Sequence, residues 1–342
     1  MKPHTLGLLL VTAMSADAQY SATRQGDVIR LEQRQTGLSV SILPAVGNIA
    51  YEMKAGGKNV FWFPFASPEE FKKKPTLCGN PLLAPWANRL DENGFYANGK
   101  KYNLNLGLGN VRLDGFQHPI HGLLLYASEW QVSDLRSDAS AAWVTSRLEF
   151  ARRPDWLAQF PFAHTIEMTY RLSGGALEVQ TRVHNQSAET MPVSLGYHPY
   201  FQITDAPRDD WTVSIAAGSQ YLLSDQLLPT GQMRPIAEVL PNPANVGLRG
   251  RALDHVFGDL PANATFSVKG KSQRIEVVYG PKYRVAIVYA PTGPNRDFIC
   301  FEPMTGPTNA FNLAHRGIYK ELQSIPAGQS WQESYWIRPA GF

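Results

Sequence analysis

The stretch HTIEMTYRLSGGALEVQTRVHNQS, residues 164–187, carries the signal that decides the architecture. Ile166, Met168, Tyr170 and Leu172 alternate with Glu167, Thr169, Arg171 and Ser173. After Gly174 and Gly175 the alternation resumes through Leu177, Val179 and Val183. A period of two puts every apolar side chain of a strand on one face. Gly-Gly between two such runs supplies the positive φ angles of a tight hairpin. The same texture recurs in VIRLEQRQTGLSVSILP (28–44), KYNLNLG (101–107), AAWVTSRLEF (141–150), SQRIEVVYGPKYRVAIVYA (272–290) and GQSWQESYWIRP (328–339). No strand–helix–strand rhythm interrupts it, which argues against an open parallel sheet. The pattern predicts an all-β protein, one antiparallel β-sandwich domain over residues 25–342. Short helices are expected only around Ser67–Phe71 and near Asp134. Irregular segments fall at 75–93, 205–211 and 224–250, and long loops in a β scaffold often carry function. The stretch LPNPANVGLRG (240–250) is the weak point at which a two-domain division would fall.

The 32 basic and 29 acidic residues are interspersed, and the formal net charge is only +3. That is no footprint for nucleic acid. The longest basic run, Lys72–Lys74, reads as a solvated loop. The opening MKPHTLGLLLVTAMSADAQ has the form of a secretory leader cleaved after Ala18, which predicts a periplasmic or secreted mature chain. Its apolar run is too short to span a bilayer, and no later segment qualifies. Cys78 and Cys300 make neither a disulfide scaffold nor a metal site by themselves. Export would permit one bridge between them, and two buried thiols are the alternative.

Familiar catalytic signatures are missing. There is no G-x-S-x-G elbow, no HExxH motif and no nucleotide loop. His118 and His121 in QHPIHG stand three apart, but Pro119 and Gly122 prevent a helix that would aim both at one metal. What remains is a set of isolated polar residues in apolar or turn-rich surroundings: Asn88, Arg89, His121, His198, Asp254 and Glu302. Glu302 ends the apolar run Phe298–Phe301. It is either a strand end facing water or a base in a partly dry cleft, where burial would raise its pKa. His198, in LGYHPYF, is either a packed imidazole or the matching acid. Arg89 offers rigid donors to sugar oxygens or ties a loop by a salt bridge. Asp254 accepts hydroxyl hydrogen bonds or caps a turn. Trp86, Tyr197, Tyr200 and Phe311 are candidates for a stacking floor or for core. His255 and His315 read as structural, and His164 and His184 fall within alternating strand patterns.

Five segments in order, GNPLLAPWANRL (79–90), IHG (120–122), GYHPYF (196–201), LDHVF (253–257) and FICFEPMTGPTNAF (298–311), together resemble the aldose 1-epimerase (galactose mutarotase) family. The resemblance spans roughly residues 28–338. It implies a β-supersandwich of large antiparallel sheets and an isomerase that interconverts the α and β anomers of free aldohexoses such as glucose or galactose. It implies Glu302 as general base, His198 as general acid, and Asn88, Arg89, His121 and Asp254 as sugar contacts. No metal or other cofactor is expected. The expected partner is a small-molecule sugar, and the chain is expected to be a monomer or weak homodimer. One departure stands out: Leu123–Leu125 follow His121-Gly122 where the family has a second glycine and then small and aromatic residues. His118 is additional, and reads as a loop anchor. The alternatives are a hexose-6-phosphate 1-epimerase and a non-catalytic carbohydrate-binding protein.

Overall fold

The computed structural model describes residues 19–342, so the expected leader lies outside the described residues. His164–Ser173 and Ala176–Asn185 pair antiparallel from His164 opposite Asn185 to Ser173 opposite Ala176. Gly174 and Gly175 close the hairpin at φ 57° and 78°. This hairpin lies within a nine-stranded sheet. Ser330–Ala340 joins its Ala176–Asn185 strand to Arg274–Tyr279, and Ala142–Glu149 and Gln131–Ser137 extend the other side. A second, eight-stranded sheet contains Ser219–Leu223, Leu253–Gly258, Val285–Ala290, Ile299–Met304, Gly196–Tyr197 and Leu82–Leu83. A five-stranded sheet formed by residues 20–59 adds a further layer.

The two large sheets bury aromatic side chains against each other. Phe301 of the eight-stranded sheet meets Phe266 of the nine-stranded one at 6.1 Å between ring centroids, and Tyr197 meets Tyr335 at 5.0 Å. The expected β-supersandwich is therefore what the chain forms. The described residues hold only four α-helices, each of four to six residues. Ser67 caps the first, Pro68–Lys73, by accepting a hydrogen bond from the Glu70 amide at 3.2 Å.

Several local expectations need correcting. Asp134 is in the strand Gln131–Ser137, not a helix. Pairing with Ala142–Glu149 overrides its local sequence, and its carboxylate accepts from the Trp143 indole at 2.8 Å. The segment 224–250 is not irregular throughout, since Pro229–Pro235 pairs with Ser219–Leu223 and Val246–Gly247 pairs with Thr212–Ser214. In KYNLNLG the strand stops at Asn103, and a 3-10 turn follows at Leu106–Leu108. Cys78 and Cys300 are free, buried thiols.

His164 lies on a strand, as expected, and its role is structural. It is buried against the Phe150 ring at 4.3 Å, and its Nδ1 lies 2.7 Å from the Phe162 carbonyl. Burial lowers its pKa from 6.5 to about 4, against the opposing pull of that carbonyl. The unfolded chain therefore takes up this proton first. The contribution to stability is intact above pH 6.5 and lost as pH falls toward 4. Thermal melts should show Tm falling between pH 7 and 5. A Tm that is constant over this interval would mean that the loss from His164 and the other buried imidazoles does not exceed the opposite gain from protonating the buried Glu302.

Candidate functional site

Alternation along Ile299–Met304 sends Phe301 between the sheets and leaves Cys300 and Glu302 on the opposite face. Strand register then lines up partners on that face. Asp254 lies opposite Tyr289, Tyr289 opposite Cys300, and Cys300 opposite Tyr200, while Ile287 lies opposite Glu302. Gly196 pairs with Met304, and a Cβ there would lie 2.1 Å from Met304 Sδ and 2.8 Å from the Pro303 carbonyl. Only glycine lets the two strands approach so closely. That approach carries His198 over Glu302, and the His198 amide donates to the Pro81 carbonyl at 3.0 Å.

Two loop segments cover the rim. Residues 84–90 and 119–124 are laced by backbone hydrogen bonds, from the His121 amide to the Asn88 carbonyl (3.0 Å) and from the Leu90 amide to the Pro119 carbonyl (2.9 Å). Asn88 and His121 both hold positive φ, 57° and 65°. Strained non-glycine backbone of this kind tends to cluster at functional sites.

Sheet and loops enclose a cavity of about 210 Å³ lined by Leu77, Asn88, Arg89, Ile120, His121, His198, Tyr200, Asp254, Ile287, Tyr289 and Glu302. All six candidate residues from the sequence meet in it. His198 Nε2 is 3.3 Å from Glu302 Oε1, and both residues are buried. The His198 ring lies parallel to Tyr200 at 4.6 Å and edge-on to His121 at 5.6 Å. Among the described residues, Glu302 Oε2, His198 Nδ1 and His121 Nδ1 have no hydrogen-bond partner. Buried polar atoms left open in this way are costly unless something else satisfies them.

Burial dominates the electrostatics. It raises the Glu302 carboxyl well above 4.5, with the Asp254 carboxylate adding to the effect and Arg89 opposing it. Burial also lowers His198 from 6.5 to about 3; its own backbone carbonyl opposes this and Arg112 reinforces it. His121 is held well below 6.5 by burial, by His198 and by Arg112 and Arg89. Asp254 stays exposed at the rim, but the protein around it raises its carboxyl, and Arg89 pulls the other way.

Arg89 is held from two sides. Its Nε donates to Asp114 Oδ2 at 2.6 Å and its Nη1 to Asn88 Oδ1 at 3.0 Å. The other Asp114 oxygen accepts the amides of Phe116 and His118, both at 2.9 Å. Burial pushes the Asp114 carboxyl up, but these amides and Arg89 outweigh it and keep its pKa below the usual value. Asp114 escaped the sequence reading, and the only trace was its place in the DGFQHP turn. Tyr289 was also missed, although its alternating strand beside Asp254 was visible.

Three of the four proposed stacking aromatics are elsewhere. Trp86 is fully buried in the main core, Tyr197 points between the sheets toward Thr181 Oγ1, and Phe311 packs on Phe95. Only Tyr200 lines the cavity. His118 Nε2 reaches Gln226 Oε1 at 3.2 Å, and His118 does not line the cavity. The unexpected leucines turn inward: Leu124 joins the main core and Leu125 packs with Leu83 and Ile287.

The family model for aldose 1-epimerase matches residues 27–338. The chain belongs to the aldose 1-epimerase family. Galactose mutarotase of Sus scrofa is 27% identical over 276 residues, 77% of this chain and 74% of that protein. The uncharacterized protein YihR of Escherichia coli is 24% identical over 247 residues, 72% of this chain and 75% of its own length. A galactose mutarotase-like protein from Clostridium acetobutylicum has the same fold as this epimerase-family chain. The TM-score is 0.81 at 21% identity, covering 95% of this chain and 99% of that one.

Proposed function

We propose that the chain is an aldose 1-epimerase acting on free aldohexoses such as glucose or galactose, with Glu302 as general base and His198 as general acid. The observation that carries this reading is the 3.3 Å contact between His198 Nε2 and Glu302 Oε1 at the cavity wall. Anomer exchange removes a proton from the C1 hydroxyl and delivers one to the ring oxygen. Both oxygens are bonded to the same carbon, so the two catalytic groups must be close neighbours. The ring opens to the aldehyde, the C1–C2 bond rotates, and reclosure reverses both transfers.

The buried pair holds one titrating proton near neutrality. Burial favours its neutral form, with the proton on Glu302. Transfer across the contact gives carboxylate and imidazolium, the form that can begin the reaction, with no change in net charge. A sugar replaces the direct contact with one contact to each of its two oxygens. The pair is active with one proton and inactive with none or two, so kcat/KM should be bell-shaped in pH. The acid limb should lie below the ordinary imidazole value of 6.5 and the alkaline limb well above the ordinary carboxyl value of 4.5. A polarimetric pH profile with its acid limb at or above 6.5 would exclude this pairing.

The cavity is smaller than the roughly 300–1,000 Å³ typical of drug-sized sites, which suits one sugar ring. Among the described residues Arg89 is the single cation lining it, and Asp114 already balances that charge. A phosphorylated sugar would find no unbalanced cation in the cavity lining, since Arg112 acts on His198 and His121 from outside it, and would face Asp254. A pure binding module would have no use for a buried acid–base contact. Asn88, Arg89, His121 and Asp254 hold the sugar hydroxyls in this reading.

Asp114 then acts as a positioning residue through Arg89. D114N should raise KM for galactose or glucose about 10-fold, the effect of losing a charge-assisted hydrogen bond worth about 1.5 kcal/mol. The kcat should change less, and D114E should restore part of the loss. Equal falls in kcat and kcat/KM would instead place Asp114 in the transition state. The primary test is polarimetry on fresh α-glucose and α-galactose across a panel of free sugars.

A further inference from the structure

Cys300 precedes Glu302 by two residues on the same face of its strand, packed with Tyr200 and Phe298. One donor atom each from Cys300, His198 and Glu302 lie within 4.8 Å of one another, and all three residues are buried. A thiolate, an imidazole and a carboxylate are the donors of a borderline-soft divalent cation. Mg²⁺ and Ca²⁺ prefer all-oxygen shells and would avoid the thiol. Charge also balances: two anionic ligands and one neutral imidazole cancel a 2+ ion, which limits the cost of burying it. Glu302 Oε2, without a protein partner among the described residues, adds a second acceptor.

We propose that His198, Cys300 and Glu302 form an inhibitory binding site for Zn²⁺ or a cation of the same class, which enters through the sugar cavity. Zinc–ligand distances run about 2.0–2.3 Å, so side-chain shifts on the order of 1 Å close the trio around the ion. Its fourth position faces the cavity and takes water. Binding releases the thiol proton and the proton of the His198–Glu302 pair to solvent. The ion occupies the lone pairs that the proposed reaction uses, so it blocks turnover and competes with sugar. The inhibition rests on that proposed reaction, but the site itself does not.

The test uses the purified chain freed of metal with EDTA. Added Co²⁺ should produce a near-ultraviolet thiolate-to-cobalt charge-transfer band that Zn²⁺ abolishes and that C300A and C300S lack. Zn²⁺ should inhibit mutarotation competitively with sugar, and EDTA should reverse it. C300A should keep turnover within a few-fold and need at least about 10-fold more Zn²⁺ for the same inhibition. C300S gives the same reading should C300A fold poorly. No cobalt band in the parent, a band that survives in C300A or C300S, or undiminished zinc inhibition in either variant overturns the proposal. A cobalt band without any mutarotation would keep the metal site and refute the proposed reaction.

Discussion

E302Q is expected to lose at least about 10² in kcat/KM for mutarotation while still binding sugar, because a general base typically contributes 10²–10⁴ in rate. Glutamine matches glutamate in shape and can still hydrogen-bond to His198 Nε2, so the cavity keeps its form. What should disappear, in the proposed reaction, is the ability to take the C1 hydroxyl proton. The variant should not be less stable than the parent. The Glu302 pKa is raised in the fold, so above pH 4.5 its burial costs stability, and that cost grows with pH. Glutamine removes this cost, so Tm at pH 7 should stay level or rise. Lost activity with an unchanged or higher Tm separates a chemical role from a structural one. If E302Q mutarotates as fast as the parent, Glu302 is not the base.

H198N is expected to lose a similar factor of about 10², for a complementary reason. Asparagine offers an amide N–H near Glu302 but no titrating nitrogen, so the ring oxygen receives no proton. In the proposed reaction the pair acts as a unit, so removing one member should already idle the other. E302Q/H198N should therefore be about as slow as either single variant, well short of the product of the two losses. Multiplying losses would mean that the two groups act in independent steps. The pH profile adds a second readout, since with either partner gone the shared proton is lost and the bell should collapse to a single limb.

Much of this arrangement could be read from the chain, and the gaps have physical causes. The 164–187 hairpin was legible because alternation and Gly-Gly are local signals, and both large sheets extend the same pattern. The position of Asp134 was not, since pairing with a neighbouring strand decided its conformation. Within LGYHPYF, alternation shows that Tyr197 and His198 face opposite ways but not which faces the other sheet. Packing answers that: Tyr197 enters the core and His198 the cavity. Trp86 and Phe311 have side chains that suit stacking on a sugar equally well, and only the close approach of distant segments made them core. Asp114 stayed hidden because its importance depends on the 112–118 turn folding back on Arg89, 25 positions earlier.

The cavity draws its parts from two sources. Glu302, Tyr289 and Asp254 belong to strands of one continuous sheet, whereas Asn88, Arg89 and His121 hang from the laced loops above it. Editing the strand neighbours of Glu302 disturbs the packing of Phe301 between the sheets, so evolution has little latitude there. The overhanging loops can diverge in length and composition while the floor stays fixed. Relatives with different sugar tastes should therefore differ in the canopy and agree in the floor, and a swapped canopy would transplant preference without touching the proton chemistry.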